Sequence, residues 1–339
     1  MVGAVVVKDG EIVSQGYHKR FGGRHAEIEA FRAAPDAVRG GTLYVNLEPC
    51  SHYGKQPPCV ESIVRHGIRR VVIGASDPNP LVNGKGIAFL QEHGIEVRCG
   101  VLEDACKRLN EAYYKHIRTG LPFVALKIAQ TLDARISARA GAQTWITSDE
   151  ARRYVHRLRR AYDAVLVGVE TVLVDNPQLT VRLVRGRHPR RVVLDSRLRT
   201  PLEAHLVRDA EAGRTILATT VQAPPDKIET LRRRGVSVWP FEPEADSRVP
   251  LKPLLEKMGK EGIASVLVEG GARVFTSFLH AGLVDRLLFL VAPRIFGAGP
   301  AAFEPLQLDG RTFELKEVET RRIGTDLLVS GIPEFVSEV

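Results

Sequence analysis

Between His25 and Cys59 the chain carries one imidazole, two thiols and a carboxylate in a pattern that suits hydrolysis. His25 and Glu27 open HAEIEAF, and Cys50 and Cys59 bound the stretch CSHYGKQPPC. Imidazole and thiolate are preferred zinc ligands, and three protein ligands leave a fourth position for water, as catalytic zinc sites do. Zinc lowers the pKa of bound water to about 7, which supplies hydroxide at neutral pH. A carboxylate two residues past the first ligand is placed to take the water's proton and pass it on to the reacting molecule. The expected metal set is therefore His25, Cys50 and Cys59, with Glu27 as catalytic acid and base. His52 stays outside that set, because a fourth protein ligand would close the position water needs; it faces either substrate or solvent.

The elements that position these residues alternate between strand and helix. VGAVVV and EIVSQGY flank a Lys-Asp-Gly turn, a hairpin signal. A helix over 25–34 puts His25 and Glu27 in its first turn. A strand over 42–47 ends at Glu48, and Cys59 starts the next helix. RRVVIGA, KGIAFLQEHG and IEVRCGV continue as strand, helix and strand, and a single helix is expected from Glu103 to about Ile117. DPNPLVNGKG at 77–86 has the composition of a tight turn. Gly120 and Pro122 break the pattern before FVALKIA, which predicts a domain over 1–119 and a second over 120–339. The second half reads as helix 148–161, strands DAVLVGV, RRVVLD and RTILATT, helices 225–234 and 250–261, strand ASVLVEG, helix 272–281 and strand DRLLFLVAP. Loops are expected over 171–182, 182–190 and 240–250. This alternation indicates α/β layers with sites at strand ends.

Composition narrows the function classes. The 339 residues are 44% hydrophobic and 26% charged, an ordinary globular balance. No apolar run reaches the ~18 residues of a membrane span and no signal peptide is evident, so a cytoplasmic protein without membrane partners is expected. The formal charge of +8 favours anionic partners: nucleic acid, phosphorylated metabolites or a phosphate-bearing cofactor. Scattered basic residues and an aromatic content of only 6% speak against a nucleic-acid groove. Four cysteines are too few for a disulfide framework, and Cys99 and Cys106 are expected as buried thiols without chemistry. No GxGxxG follows a strand; instead ASVLVEGGARVFTSF sets Gly-Gly before a helix, whose N-terminal amides suit phosphate.

HxE followed by PC and a second Cys resembles the zinc deaminases of nucleobases, except that eight residues separate Cys50 from Cys59. That longer spacing, with HAEIEAF, DPNPLVNGKG, LKIAQTLDARI, TWITSDEAR, DAVLVGVETVLVDNPQLTVR, RVVLDSRLR and VEGGARVFTSFL in that order, resembles one bifunctional riboflavin-biosynthesis family over the whole chain. The family joins a pyrimidine deaminase to a 5-amino-6-(5-phosphoribosylamino)uracil reductase. The resemblance implies a cytidine-deaminase-like three-layer domain followed by a dihydrofolate-reductase-like α/β domain. It implies Zn2+ in the first and NADPH in the second, with small phosphorylated pyrimidines as substrates. A homo-oligomer that binds no nucleic acid is expected.

Carried over by position, the resemblance assigns NADPH contacts to Ala129, Trp145, Thr171, Asp175 and Ser196. To these it adds the run Gly271, Ala272, Arg273, Val274, Phe275, Thr276 and Ser277. It assigns substrate contacts to Gln143, Arg159, Leu179, Arg182 and Glu269. Arg159 and Arg182 suit a phosphate through charge-assisted bonds, and Trp145 suits a nicotinamide face. Arg197 or Arg199 is placed to meet the cofactor's 2′-phosphate, or simply lies at the surface. Three departures stand out. The helix and Pro-Asn-Pro turn that normally precede VGAV are not in this chain, so a shortened, impaired deaminase half is one expectation. Ala134 stands where Gly is usual, and Gln143 where Ser is common. The alternatives are a reductase-only or degenerate relative and a nucleic-acid-editing deaminase, the latter leaving the second half unexplained.

Overall fold

Asp9 and Gly10 both have positive φ, 51° and 84°, as a two-residue type I′ hairpin turn requires. They join β1 (Gly3–Lys8) to β2 (Glu11–Tyr17) as an antiparallel pair. The computed structural model describes residues 1–20, 22–54, 56–142, 144–306 and 311–337. The chain divides into two units, Met1–Thr119 and Gly120–Val339.

In the first unit, α1 (Ala26–Ala33) lies directly on β2. A Cβ on Gly16 would sit 2.4 Å from the Ala26 carbonyl oxygen and from the Ala30 nitrogen, so only glycine allows this approach. The unit continues with β3 (Thr42–Leu47), α2 (Cys59–Arg65), β4 (Arg70–Ala75), α3 (Lys85–Glu92) and β5 (Glu96–Cys99). The strands form one sheet in the order β2-β1-β3-β4-β5, parallel from β3 onward. β4 is buried on both faces, which explains its unbroken apolar run. Val71 and Ile73 pack with Ala30, Phe31, Ile63 and Leu90 of α1 to α3, while a Cβ on Gly74 would meet Cys106 Sγ at 2.3 Å on the other side. Helices on both faces make three layers.

The single helix expected from Glu103 is two, α4 (Glu103–Leu109) and α5 (Glu111–Thr119). Asn110 interrupts it at φ −119°, and its side-chain oxygen accepts from the Met1 amino group, a partner outside the helix. The break turns Tyr113 toward Asp77 Oδ1 (2.9 Å) and Tyr114 toward the Ser76 carbonyl (2.5 Å). The expectation of two buried thiols also needs correction. Cys99 ends the edge strand β5 and is exposed, and Cys106 is half-buried.

The second unit begins with β6 (Phe123–Thr131) and α6 (Asp149–Ala161), capped by Ser148, which accepts from the Ala151 N–H at 3.2 Å. Then come β7 (Ala164–Gly168), α7 (Val169–Asp175), β8 (Arg190–Leu194), α8 (His205–Arg208), β9 (Thr215–Thr220), α9 (Pro225–Arg233), β10 (Ser237–Phe241) and α10 (Leu251–Lys260). β11 (Ser265–Val268), α11 (Ala272–His280), β12 (Arg286–Ala292), β13 (Arg311–Ile323) and β14 (Asp326–Ser337) complete it. The sheet order is β10-β9-β8-β7-β11-β6-β12-β14-β13, parallel from β10 through β12 and antiparallel at the last hairpin.

Two expected loops are partly regular. α7 occupies the start of 171–182 because Val169 and Val172 bury on one face, and the chain leaves it at Asn176 with φ 41°. β10 runs into 240–250; it carries Pro240, which an edge strand tolerates because no ladder partner needs its missing N–H.

Candidate functional site

The metal-ligand candidates come from three element ends. His25 is the residue before α1, Cys50 follows β3, and Cys59 is the first residue of α2. His25 Nδ1 is 3.2 Å from Cys59 Sγ and 3.4 Å from Cys50 Sγ, and one ligand atom from each residue lies within 4.8 Å of the others. A tetrahedral zinc with ordinary Zn–N and Zn–S bonds holds nitrogen and sulfur about 3.6 Å apart, so the cluster fits that ion. The Cys59 N–H also points at Cys50 Sγ (3.3 Å), and a helix N-terminus favours a thiolate there. The Cys50 thiol is pushed down to about 4 by a hydrogen bond from Cys59 and by His25, whereas Cys59, the donor of that bond and more buried, is pushed up.

Glu27 sits in the first turn of α1 and is only 3% exposed. Burial pushes its carboxyl pKa up, the direction that helps a group which must both take and return a proton. Beside this cluster the structure adds a residue that motif reading passes over. Glu48, also buried, accepts from the backbone N–H groups of Asp77, Gly84, Gly86 and Ile87 at 3.1 to 3.4 Å. The loop 77–86, which composition alone left as a turn, is therefore folded around one carboxylate. His52 has its Nδ1 buried with no hydrogen-bond partner among the described residues.

In the second unit a cavity of about 770 Å³ brings together many of the remaining candidates. Ala129, Trp145, Thr171, Asp175, Gly271 and Phe275 line it among the expected cofactor contacts. Arg159, Leu179, Arg182 and Glu269 line it among the expected substrate contacts. Ser196 does not; its Oγ accepts from the Val249 N–H (3.2 Å) and its carbonyl from Thr220 Oγ1 (2.9 Å). Ala272, Arg273, Val274, Thr276 and Ser277 lie on α11 off the lining, with Arg273 against Glu304 (3.3 Å) and Thr276 Oγ1 accepting the Glu304 N–H. Gln143 lies outside the described residues. Arg197 and Arg199 are exposed, and Arg199 pairs with Glu170.

The charge centre of the cavity wall is Glu269, just beyond β11. Arg159 grips it through two bonds of 2.6 and 2.9 Å, and Lys127 lies 3.3 Å away. Burial opposes ionisation of Glu269, yet the two cations hold its pKa down at about 2. Burial raises Asp175 above the usual carboxylate range. Trp145 is 57% exposed, and the Arg152 guanidinium stands 4.8 Å over its ring. Gly271, with φ 75°, takes a left-handed turn at the start of α11 that brings bare backbone to the cavity. Lys127, Arg152 and His156 also line it. Lys127 pairs with Glu269 and His156 Nδ1 accepts from the Arg182 N–H (3.0 Å), yet neither Lys127 nor His156 carries a local sequence signal.

The family model of the RibD C-terminal domain matches residues 122–329, and that of the cytidine and deoxycytidylate deaminase zinc-binding region matches residues 1–75. The riboflavin biosynthesis protein RibD of Actinobacillus pleuropneumoniae is 42% identical over 336 residues, 98% of this chain and 89% of that protein. The structure of Acinetobacter baumannii RibD superimposes with a TM-score of 0.85 at 36% identity, covering 98% of this chain and 92% of that one. The deaminase/reductase structure from Thermotoga maritima gives a TM-score of 0.84 at 40% identity, covering 98% and 91%.

Proposed function

The chain belongs to the RibD family of riboflavin biosynthesis proteins, and from that membership we propose how its residues divide the two reactions of a deaminase–reductase. The first unit hydrolyses the exocyclic amine of a diamino-pyrimidine ribonucleotide. The second reduces the ribosyl group of the deaminated product to ribityl. Zinc, bound by His25, Cys50 and Cys59, supplies the Lewis acidity that makes water nucleophilic near neutral pH. NADPH supplies the hydride, and the protein supplies binding and orientation.

Glu27 takes a proton from water as its oxygen joins the ring carbon and delivers it to the ring nitrogen; it then takes the second proton from the new hydroxyl, which becomes the carbonyl, and passes it to the amine as the carbon–nitrogen bond breaks and ammonia leaves. Its burial beside Cys59 keeps that proton from bulk water. In the second unit Arg159 and Arg182 take the substrate phosphate, Glu269 orients Arg159 and the sugar, and Leu179 packs against the base. Ala129, Trp145, Thr171, Asp175, Ser196 and the segment from Gly271 to Ser277 hold the dinucleotide, with Trp145 covering the nicotinamide. Gln143 takes the remaining substrate contact.

The protein works as a cytoplasmic homo-oligomer on small phosphorylated pyrimidines and not on nucleic acid. Among the described residues no helix is long and apolar enough to cross a membrane. The observation that carries the reading is the convergence of His25, Cys50 and Cys59 within 4.8 Å beside a buried Glu27. Glu27→Gln tests it: zinc content is expected to stay while ammonia release stops and reduction of the pre-deaminated nucleotide continues. Loss of both activities together would reject separate sites.

A further inference from the structure

Three consecutive residues after α7 are each held by a side chain from another part of the second unit. The Thr180 carbonyl accepts from Arg159 Nη1 (3.3 Å), the Val181 N–H donates to His188 Nδ1 (3.0 Å), and the Arg182 N–H donates to His156 Nδ1 (3.0 Å). The segment is neither helix nor strand. Side-chain acceptors therefore stand in for the ladder partners its N–H groups would otherwise need.

Of the two imidazoles, His156 is the one that also lines the cavity, and it is 4% exposed. It stands on α6 between Arg152 and Arg159, with Arg182 and Glu269 facing it from other elements. Burial, then Arg159 and Arg182, push its pKa down to about 4. The ring is thus neutral at pH 7 and its Nδ1 keeps the lone pair that the Arg182 amide needs; the proton then sits on Nε2. We propose that His156 is a positioning residue of the reductase, whose Nδ1 fixes the backbone of Arg182 and so aims that guanidinium at the nucleotide phosphate. The proposal rests on the assignment of Arg182 to phosphate made above.

A ring that merely filled space would not care where its acceptor lies. An acceptor at Nδ1 is a sharper requirement, and two amides separate the cases: the Asn side-chain oxygen takes the place of Nδ1, whereas the Gln amide reaches only the place of Nε2. The test uses His156→Asn and His156→Gln in the full chain, with exchange protection of the β6, β7 and β11 amides reporting that the second unit is folded. Hydrogen exchange at the Arg182 amide and steady-state reduction of the deaminated nucleotide are both read. His156→Gln is expected to speed that exchange and raise the nucleotide KM about tenfold, the effect of one lost hydrogen bond, with kcat changed less than about threefold. His156→Asn is expected to stay within about threefold of the parent in exchange and KM. Equal exchange and equal KM in the two variants overturn the proposal. Arg182→Ala isolates the assumption beneath it: an unchanged KM there removes the phosphate assignment, while the exchange arm still judges the His156 contact by itself.

Discussion

Glu269→Gln removes the anion that two nearly buried cations share, and its cost can be worked out before it is measured. The Glu269 side chain is 5% exposed, that of Arg159 12% and that of Lys127 11%. Burial works against the carboxylate, but Arg159 and Lys127 bring its pKa from 4.5 to about 2. At 1.36 kcal/mol per pH unit that difference is worth roughly 3 kcal/mol, in line with the ~3–5 kcal/mol typical of breaking a buried pair from one side. Because the folded value is depressed, this stability is fully present above the unfolded value of 4.5 and fades as pH falls through about 2. Near pH 3 somewhat under half should remain, about 1.4 kcal/mol. The assay is thermal unfolding of parent and variant at pH 7 and pH 3. At ~2–4 °C per kcal/mol for a unit of this size, the variant should melt roughly 6–12 °C lower at pH 7, with the gap about halved at pH 3. A pH 7 gap under about 2 °C, or one that does not shrink on acidification, would refute the reasoning.

Gly16→Ala drives a Cβ into the backbone of α1; it should cost about 1–3 kcal/mol as overpacking does and reduce bound zinc per chain, read by metal analysis on the purified variant. Ala134 holds φ 58°, a left-handed conformation that costs an L-residue about 1–2 kcal/mol. Ala134→Gly should therefore leave the melting temperature unchanged or raise it by about 2–4 °C, and a lower value would deny the strain. Arg182→Ala should raise the nucleotide KM of the reductase by tenfold or more, about 1.4 kcal/mol or above, and leave ammonia release alone.

The layers of the first unit were readable because its elements are short and sharply punctuated, as at Asp9-Gly10 and at Gly84 before α3. The metal cluster could be anticipated for the same reason: only α1, β3 and their connecting loops separate His25 from Cys59, and the ligand types are rare. Nothing local announces that Glu48 gathers the amides of 77–87, since the contact is made by the packing of that loop against the end of β3. The Arg159–Glu269 pair joins α6 to the end of β11, and only the parallel order of the nine-stranded sheet brings them together. The helix break at Asn110 was hidden because its partner is the chain's first residue, and the apolar spacing continues across it. β13 and β14 escaped notice for other reasons: much of β13 is exposed and polar, so the hydrophobic alternation that marks a half-buried strand is weak, and the apolar run of β14 is broken by Gly331 and Pro333.

The most direct measurement of the central assignment supplies the diamino-pyrimidine nucleotide to a zinc-quantified sample, with and without NADPH, and follows ammonia and cofactor absorbance separately. Ammonia should appear in both reactions, and NADPH should be consumed only in the second and only after ammonia. NADPH consumption without prior ammonia, or no ammonia from a sample carrying one zinc per chain, would contradict it.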